Sequence, residues 1–234
     1  MAAGNSIRDE IKEQNKKIKQ MKGSQKREHI WEYYRFWIIS VLAAIAIVVG
    51  VVMMIMRNNY DTVFTTIIVD GAISGMSDKT DKLTTGFTEY LGIDGTSTRV
   101  YFDNNYTLTE NSPVPIDQDP YISAQKIVTL AASHSIDGYI AEYSMINYFS
   151  SNDDIFLVDL RDYLTPEEVE QLQDYFVYYT LKDGTKIPNA LDLTNTKIMT
   201  ETDLRMTKPC YGICVATTHA DNAVAFIRYA FDLK

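Results

Sequence analysis

An unbroken apolar segment, residues 36–56, constrains this chain more than any other feature. Of its 21 residues, Ser40 alone carries a polar side chain. At about 1.5 Å of rise per residue the segment forms a helix of about 31 Å, which matches the hydrocarbon core of a bilayer. A soluble domain has no need of such a segment. The sequence therefore predicts one transmembrane helix between a short N-terminal part and a larger C-terminal part.

The charges that flank the apolar segment predict its orientation. Residues 1–35 contain nine Lys or Arg and five Asp or Glu, a net charge of +4, and only Arg57 lies close to the far end. Because basic residues favour the cytoplasmic side, we expect a single-pass protein of the cell membrane with a cytoplasmic N-terminus. Residues 58–234 then lie outside, with 12 basic and 26 acidic residues, a net charge of −14. So acidic a domain repels phosphates, and we predict no nucleic-acid partner.

The same segment favours an uncleaved signal-anchor over a cleaved signal peptide. Its apolar run exceeds the usual core of about 7–15 residues, and the residues that follow, Arg57–Tyr60, contain no small-x-small cleavage site. We therefore divide the chain into a cytoplasmic basic head (1–35), a transmembrane helix (36–56), a linker (57–62) and an extracellular domain (63–234). The lipid bilayer is the first predicted partner.

The head predicts a short amphipathic helix. A narrow apolar seam with one polar break repeats at 4-3-4-3 spacing: Ile7, Ile11, Gln14, Ile18 and Met21. One interpretation is a solvated helical tail whose lysines hold it against anionic lipid. The other is a short coiled coil with a partner, although two heptads are few for a stable coiled coil.

The outer domain alternates strand-like and helix-like runs. Residues 63–69 and 98–102 are rich in β-branched and aromatic residues and predict strands. Asp119-Pro120 and Thr165-Pro166 each place a capping residue before a proline, which predicts the starts of two helices. Such alternation predicts an α/β fold, a three-layer α/β/α domain with a mainly parallel sheet. A late antiparallel hairpin is expected around Asp183-Gly184.

Polar residues follow the predicted parallel strands at the edge of the sheet where ligands usually bind. The four candidate ligand-binding residues are Ser74, Asn104, Glu142 and Tyr143. Carboxylate, amide and phenol groups suit a small polar ligand that donates hydrogen bonds. The competing interpretation is that these are ordinary loop residues in turns and caps.

Two stretches of the outer domain resemble bacterial extracellular solute-binding proteins of the type 2 periplasmic-binding fold. In residues 120–160 a helix precedes a "D-x-x-x-A" strand and an "L-x-x-x-L" segment, at Asp137, Ala141, Leu160 and Leu164. Residues 211–231 resemble the strand and helix that return to the first lobe of that family. Tyr33-Tyr34-Arg35 before the span is similar to the head of small membrane-anchored proteins of Firmicutes. The resemblance implies solute binding without catalysis.

The chain departs from that family in its length. Residues 160–208 already contain a predicted helix and hairpin, so there is no space for a second lobe. We therefore expect a single-lobe relative without clamshell closure. Two hypotheses follow. The lobe binds a small polar ligand or peptide, or it is a degenerate lobe that docks onto another protein of the cell envelope, such as a transporter.

Catalytic and metal-binding motifs are lacking in the sequence. The three histidines, His29, His134 and His219, form no H-E-x-x-H motif, and no G-x-S-x-G or phosphate loop occurs. We interpret His134 as a helix-end residue and predict no enzyme, no metal and no cofactor. Cys210 and Cys214 are expected to be reduced and buried, the alternative being a disulfide across a tight turn.

Overall fold

A long N-terminal helix and an α/β unit are seen in a computed structural model, which describes residues 12–13, 16, 23–58, 60–71, 78–95, 97–109, 119–201, 204 and 206–233. The chain divides into two compact units, Met1–Asn59 and Tyr60–Lys234. The whole predicted apolar seam of the head and the candidate Ser74 lie outside the described residues.

The first unit is built on helix α1, Gly23–Asn58, of 36 residues. Within it, Arg35–Met54 has a mean hydropathy of 2.8, and none of this stretch is buried by protein. In the described part of the chain it is the one helix that is long and apolar enough to cross a membrane. The predicted apolar helix is therefore present, and its length and composition are compatible with a single membrane span.

The second unit contains a six-stranded sheet in the order β2-β1-β3-β6-β5-β4. The strands are β1 (Asp61–Val69), β2 (Thr98–Tyr106), β3 (Gly138–Glu142), β4 (Phe176–Thr180), β5 (Lys186–Asp192) and β6 (Pro209–Ile213). Strand β1 is parallel to both β2 and β3. The pairs β3–β6, β6–β5 and β5–β4 are antiparallel.

The sheet is thus mixed rather than mainly parallel. The predicted βαβ character describes β2, β1 and β3, where a helix separates successive strands. In the other half the chain runs directly from β4 to β5 through residues 181–185, a connection too short for a parallel crossover. It then enters β6 in the direction opposite to β3.

In the described part of the second unit, five helices accompany the sheet. They are α2 (Asp78–Leu91), α3 (Pro120–Ala132), α4 (Pro166–Leu172), α5 (Lys197–Glu201) and α6 (Ala220–Phe231). Two predicted helix starts are confirmed. The Asp119 carboxylate accepts hydrogen bonds from the first turn of α3, and Thr165 and Glu168 form a complete capping box on α4.

Two hydrophobic clusters form the core. One contains Phe64 of β1 with Phe87 of α2 and Phe226 of α6, and the second contains Ile67 of β1 with Ile127 of α3. Because neighbouring side chains of a strand point to opposite faces, the two clusters lie on opposite faces of the sheet. The sheet is therefore buried on both faces, and polar side chains for a site are left at its two ends.

Candidate functional site

The predicted site does not assemble as one group of side chains. The strand expected to end at Phe102 continues to Tyr106, so Asn104 lies within β2 and not beyond it. Asn104 is half-buried, two strands away from Glu142 in the sheet order. Glu142 and Tyr143 lie at the carboxyl end of β3, as expected.

Glu142 has a structural role in the fold. Its two carboxylate oxygens accept hydrogen bonds from the backbone N–H groups of Thr207 and Lys208, at 3.0 and 2.8 Å. These bonds tie the segment before β6 to the end of β3. The carboxylate is thereby occupied by its own loop, which matches the competing interpretation of ordinary loop residues.

Tyr143 borders a groove of about 320 Å³, which we name the carboxyl-edge groove. Half of the tyrosine side chain is exposed, and the Lys208 ammonium lies 4.2 Å from its ring centroid. Lys208 also lies 3.5 Å from the Asp192 carboxylate. The groove is lined by Tyr143, Asp174, Tyr175, Phe176, Val177, Tyr178, Thr180, Lys186, Asp192 and Lys208. Its cations and anions partly neutralise each other.

A larger cavity begins beside Thr62 and Asp137, at the starts of β1 and β3, and extends along β2 to Tyr106. This amino-edge cleft has a volume of about 410 Å³. It is lined by Thr62, Thr65, Ile67, Tyr101, Asp103, Tyr106, Leu130, His134, Ser135, Asp137 and His219. These residues come from β1, from β2, from the end of α3 and the segment that follows it, and from His219, which directly precedes α6. The fold thus brings together side chains that are distant in sequence.

Asp137 is the most deeply buried polar group of the cleft. Only 3% of its side chain is exposed. Its carboxylate accepts hydrogen bonds from the Thr65 N–H at 2.8 Å and from the Thr217 hydroxyl at 2.6 Å. A buried carboxylate needs such donors because burial disfavours its charge. The third neighbour is the imidazole of His219.

The His219 imidazole is oriented by Asp137. Its Nδ1 lies 3.2 and 3.3 Å from the two carboxylate oxygens, and its own backbone N–H donates to the Thr217 hydroxyl. A carboxylate only accepts, so Nδ1 carries a proton, and in the neutral form of the ring Nε2 keeps a lone pair. With 37% of its side chain exposed, His219 is one of the residues that line the cleft.

His134 is held in the same way by a different acceptor. The residue follows α3 in a left-handed conformation with φ of 54°, and its Nδ1 lies 2.8 Å from the carbonyl oxygen of Ala216. A carbonyl also only accepts, so Nδ1 is the donor, and in the neutral form of the ring Nε2 is the acceptor. His134 is therefore a helix-end residue, as the sequence indicated, and also part of the cleft.

Two phenols complete the polar wall. The Tyr106 hydroxyl donates to Asp103 at 2.9 Å, and burial together with this carboxylate raises the pKa of Tyr106. Burial, and then the Asp103 charge, also raises the pKa of Tyr101. Both phenols therefore stay neutral at physiological pH.

Among the described residues, the hydroxyl that contacts the His219 ring is that of Thr218, which lies 3.4 Å from Nδ1. The Ser135 hydroxyl contacts the Ser133 hydroxyl at 2.9 Å, and the Thr217 hydroxyl donates to Asp137. Among the described residues no group of three or more His, Cys, Asp or Glu is placed to hold a metal ion. Cys210 and Cys214 are free and buried, so the predicted reduced state is confirmed. The arrangement can accept hydrogen bonds from a ligand.

Sequence reasoning missed this pair because its members are 82 residues apart. The sequence points to Asp137 only through the "D-x-x-x-A" resemblance, and to His219 only as one of three histidines that form no motif. No local pattern links them, since the contact depends on β3 and β6 lying side by side.

No protein-family model, curated protein or solved structure matches this chain.

Proposed function

We propose that this chain is a single-pass membrane protein whose outer lobe binds a small polar ligand in the amino-edge cleft without chemical change. In this proposal the N-terminus is cytoplasmic and the lobe is an extracellular three-layer α/β/α domain. The apolar stretch Arg35–Met54 and the positive charge of residues 1–35 support the anchor and its orientation. The hydrophobic clusters on both faces of the sheet support the layers.

One observation carries the ligand-binding proposal: a buried carboxylate, Asp137, orients an imidazole that opens into a cavity of about 410 Å³. Burying a charged carboxylate costs free energy. Asp137 uses its buried carboxylate to orient the His219 imidazole, whereas Glu142 uses its carboxylate to hold the backbone of a loop. The volume falls within the usual range of ligand pockets, about 300–1,000 Å³. Binding without catalysis agrees with hydroxyl groups that are engaged elsewhere.

Ligand screening of the full-length chain in lipid nanodiscs tests this function. We expect at least one class among sugars, amino acids, short peptides and amines to raise the unfolding temperature. The replacement His219→Ala should remove the shift, whereas Tyr163→Ala, an exposed residue outside both cavities, should keep it. A screen without any shift, or shifts that survive His219→Ala, would contradict the proposal.

The orientation has its own test. A membrane-impermeant maleimide should label intact cells that carry Asp154→Cys but not cells that carry Asn5→Cys. The native thiols are buried and give a low background. Labelling of the N-terminal cysteine from outside would reverse the topology.

Docking onto another envelope protein is the second candidate, and one observation favours it. Strand β4 is at the end of the strand order, and it lines the carboxyl-edge groove beside the half-exposed Tyr143 and Tyr178. A sheet edge of this kind can pair with an extended segment of a partner. A photo-crosslinker at Tyr178 in native membranes should then yield one dominant partner. Capture of abundant bystanders alone argues against docking.

A further inference from the structure

We infer that the ligand of the amino-edge cleft is an organic cation, a compound with a protonated amine on a small apolar body. This inference rests on the proposed ligand-binding function. It is carried by three features of the lining: its charge, the direction of its hydrogen-bonding groups, and its aromatic rings.

The charge of the cleft is negative. The described lining contains two carboxylates, Asp103 and Asp137, and no lysine or arginine. A cleft lined by one sign of charge concentrates ligands of the opposite sign. Anionic ligands, whether phosphates or carboxylates, would meet two like charges there. Arg99 does not line the cleft, but its guanidinium lies 5.5 Å from the Tyr101 ring centroid, where one cation stands against the two carboxylates.

The hydrogen-bonding groups of the cleft require donors from the ligand. His134 and His219 both place Nδ1 against an acceptor of the protein, so each neutral ring has an Nε2 acceptor for a ligand. Neither Nε2 has a protein partner among the described residues. An alkylammonium group donates up to three hydrogen bonds, and it also neutralises charge. A neutral hydroxyl donates one and leaves the carboxylates uncompensated.

The aromatic rings supply faces that attract a cation. Tyr101 is 41% exposed and lines the cleft together with Tyr106. Both stay neutral, so their π faces keep the negative potential that stabilises a nearby cation. A cation of the protein already lies near one of these rings, since the Arg99 guanidinium is 5.5 Å from the Tyr101 ring centroid. Ile67 and Leu130 add an apolar wall for the body of the ligand.

Three probes of one shape and different charge test the inference. Benzylamine, benzyl alcohol and benzoate are titrated by calorimetry into the full-length chain in nanodiscs of neutral lipid, at physiological ionic strength. We expect benzylamine to bind at least about tenfold more tightly than benzyl alcohol, and benzoate not to bind. Butane-1,4-diamine and phenethylamine extend the amine arm, with butane-1,4-diol as the neutral partner of the diamine.

Matched variants place the binding in the cleft. Asp103→Asn keeps the size of the side chain and removes its charge, and Tyr101→Leu removes the ring. Each should weaken amine binding about tenfold. Tyr101→Phe keeps the ring and should retain the affinity. Asp162→Asn removes an exposed charge outside the cleft and should leave the affinity unchanged.

The outcomes separate the two proposals. Should an uncharged or anionic probe bind in the cleft and lose affinity in His219→Ala, the ligand-binding function stands and the cation inference is wrong. If Asp103→Asn and Tyr101→Leu leave the affinity for amines unchanged, the amines bind through attraction to the acidic surface, and the inference is wrong. If no amine binds while a neutral ligand from the screen does, the cation inference is wrong and the ligand-binding function stands. If nothing binds, both proposals fail.

Discussion

The two ends of the sheet use a carboxylate in opposite ways. At the carboxyl end, Glu142 is half-buried and holds two backbone N–H groups of a neighbouring loop. At the amino end, Asp137 is buried and holds one backbone N–H, one hydroxyl and one imidazole. Glu142 thus holds backbone groups only. Asp137 also holds a side chain, the His219 imidazole, and this side chain lines a cavity. Burial and partner type, and not residue type, therefore distinguish a structural carboxylate from a candidate functional one.

The largest effect is expected from exchanging the two carboxylates for alanine. Asp137→Ala leaves the Thr65 N–H and the Thr217 hydroxyl without their acceptor, and should lower the free energy of unfolding by about 2–4 kcal/mol. Glu142→Ala frees N–H groups on residues exposed to water and should cost about 1 kcal/mol. Denaturation of the full-length chain in detergent, followed by circular dichroism, measures both. Equal costs would break the comparison.

Glycines near the two ends provide the next test. A Cβ atom at Gly138 would lie 2.5 Å from the Thr66 hydroxyl and 2.6 Å from the Tyr211 ring, and both residues are fully buried. Gly138→Ala should therefore cost about 1–3 kcal/mol. At Gly71 the obstacle is the end of the flexible Met206 side chain, which can rotate away. Gly71→Ala should cost less in the same measurement, and the reverse order would show that the carboxyl end is the more rigid one.

The Glu168 carboxylate, which forms an ion pair with Arg228, is a third carboxylate whose stability contribution can be compared with those of Asp137 and Glu142. Arg228 donates to Glu168 at 2.5 Å and, as the largest cause, lowers the pKa of that carboxyl. A lowered folded-state pKa means stability that is present above the unfolded pKa, about 4.3, and lost as pH falls through the folded value. Glu168→Gln should cost about 1 kcal/mol at pH 7 and progressively less below pH 4. A pH-independent difference would assign the effect to packing.

The smallest effect is expected from thiol labelling. Burial raises the pKa of Cys210, beside the carboxyl end, to about 12, and it also raises the pKa of Cys214, near the amino end. Both thiols should resist iodoacetamide at pH 8 and react at one common rate, that of global unfolding. Mass spectrometry of each cysteine peptide measures the two rates. Faster labelling of either cysteine would show that its end of the sheet opens locally.

Local signals predicted the local structure well. Asp119 and Thr165 began helices as expected, because a cap and the proline after it act within one turn. The apolar run at residues 36–56 also predicted its helix, because the apolar residues that form the signal are consecutive in the sequence. The strand ends were less predictable: β2 continues through Asn104 because pairing with β1 overrides the polar sequence there.

The candidate site could not be predicted from local signals. Its central contact joins Asp137 to His219, and its second imidazole is fixed by the carbonyl oxygen of Ala216. Each contact depends on the antiparallel pairing of β3 with β6, which no spacing in the sequence encodes. Of the four predicted residues, Tyr143 lines a cavity and Glu142 holds a loop.

The short segment after β6 holds several polar groups of the cleft in place. Residues 214–219 supply the carbonyl that holds His134, the hydroxyl that holds Asp137, and His219 itself. The same segment also belongs to the core, because Cys214 is fully buried and its N–H donates to the carbonyl oxygen of Asp137 at 2.9 Å. One short stretch of chain therefore fixes both imidazoles and part of the core at once. Although loops ordinarily tolerate insertions and deletions, we expect this stretch to keep a constant length.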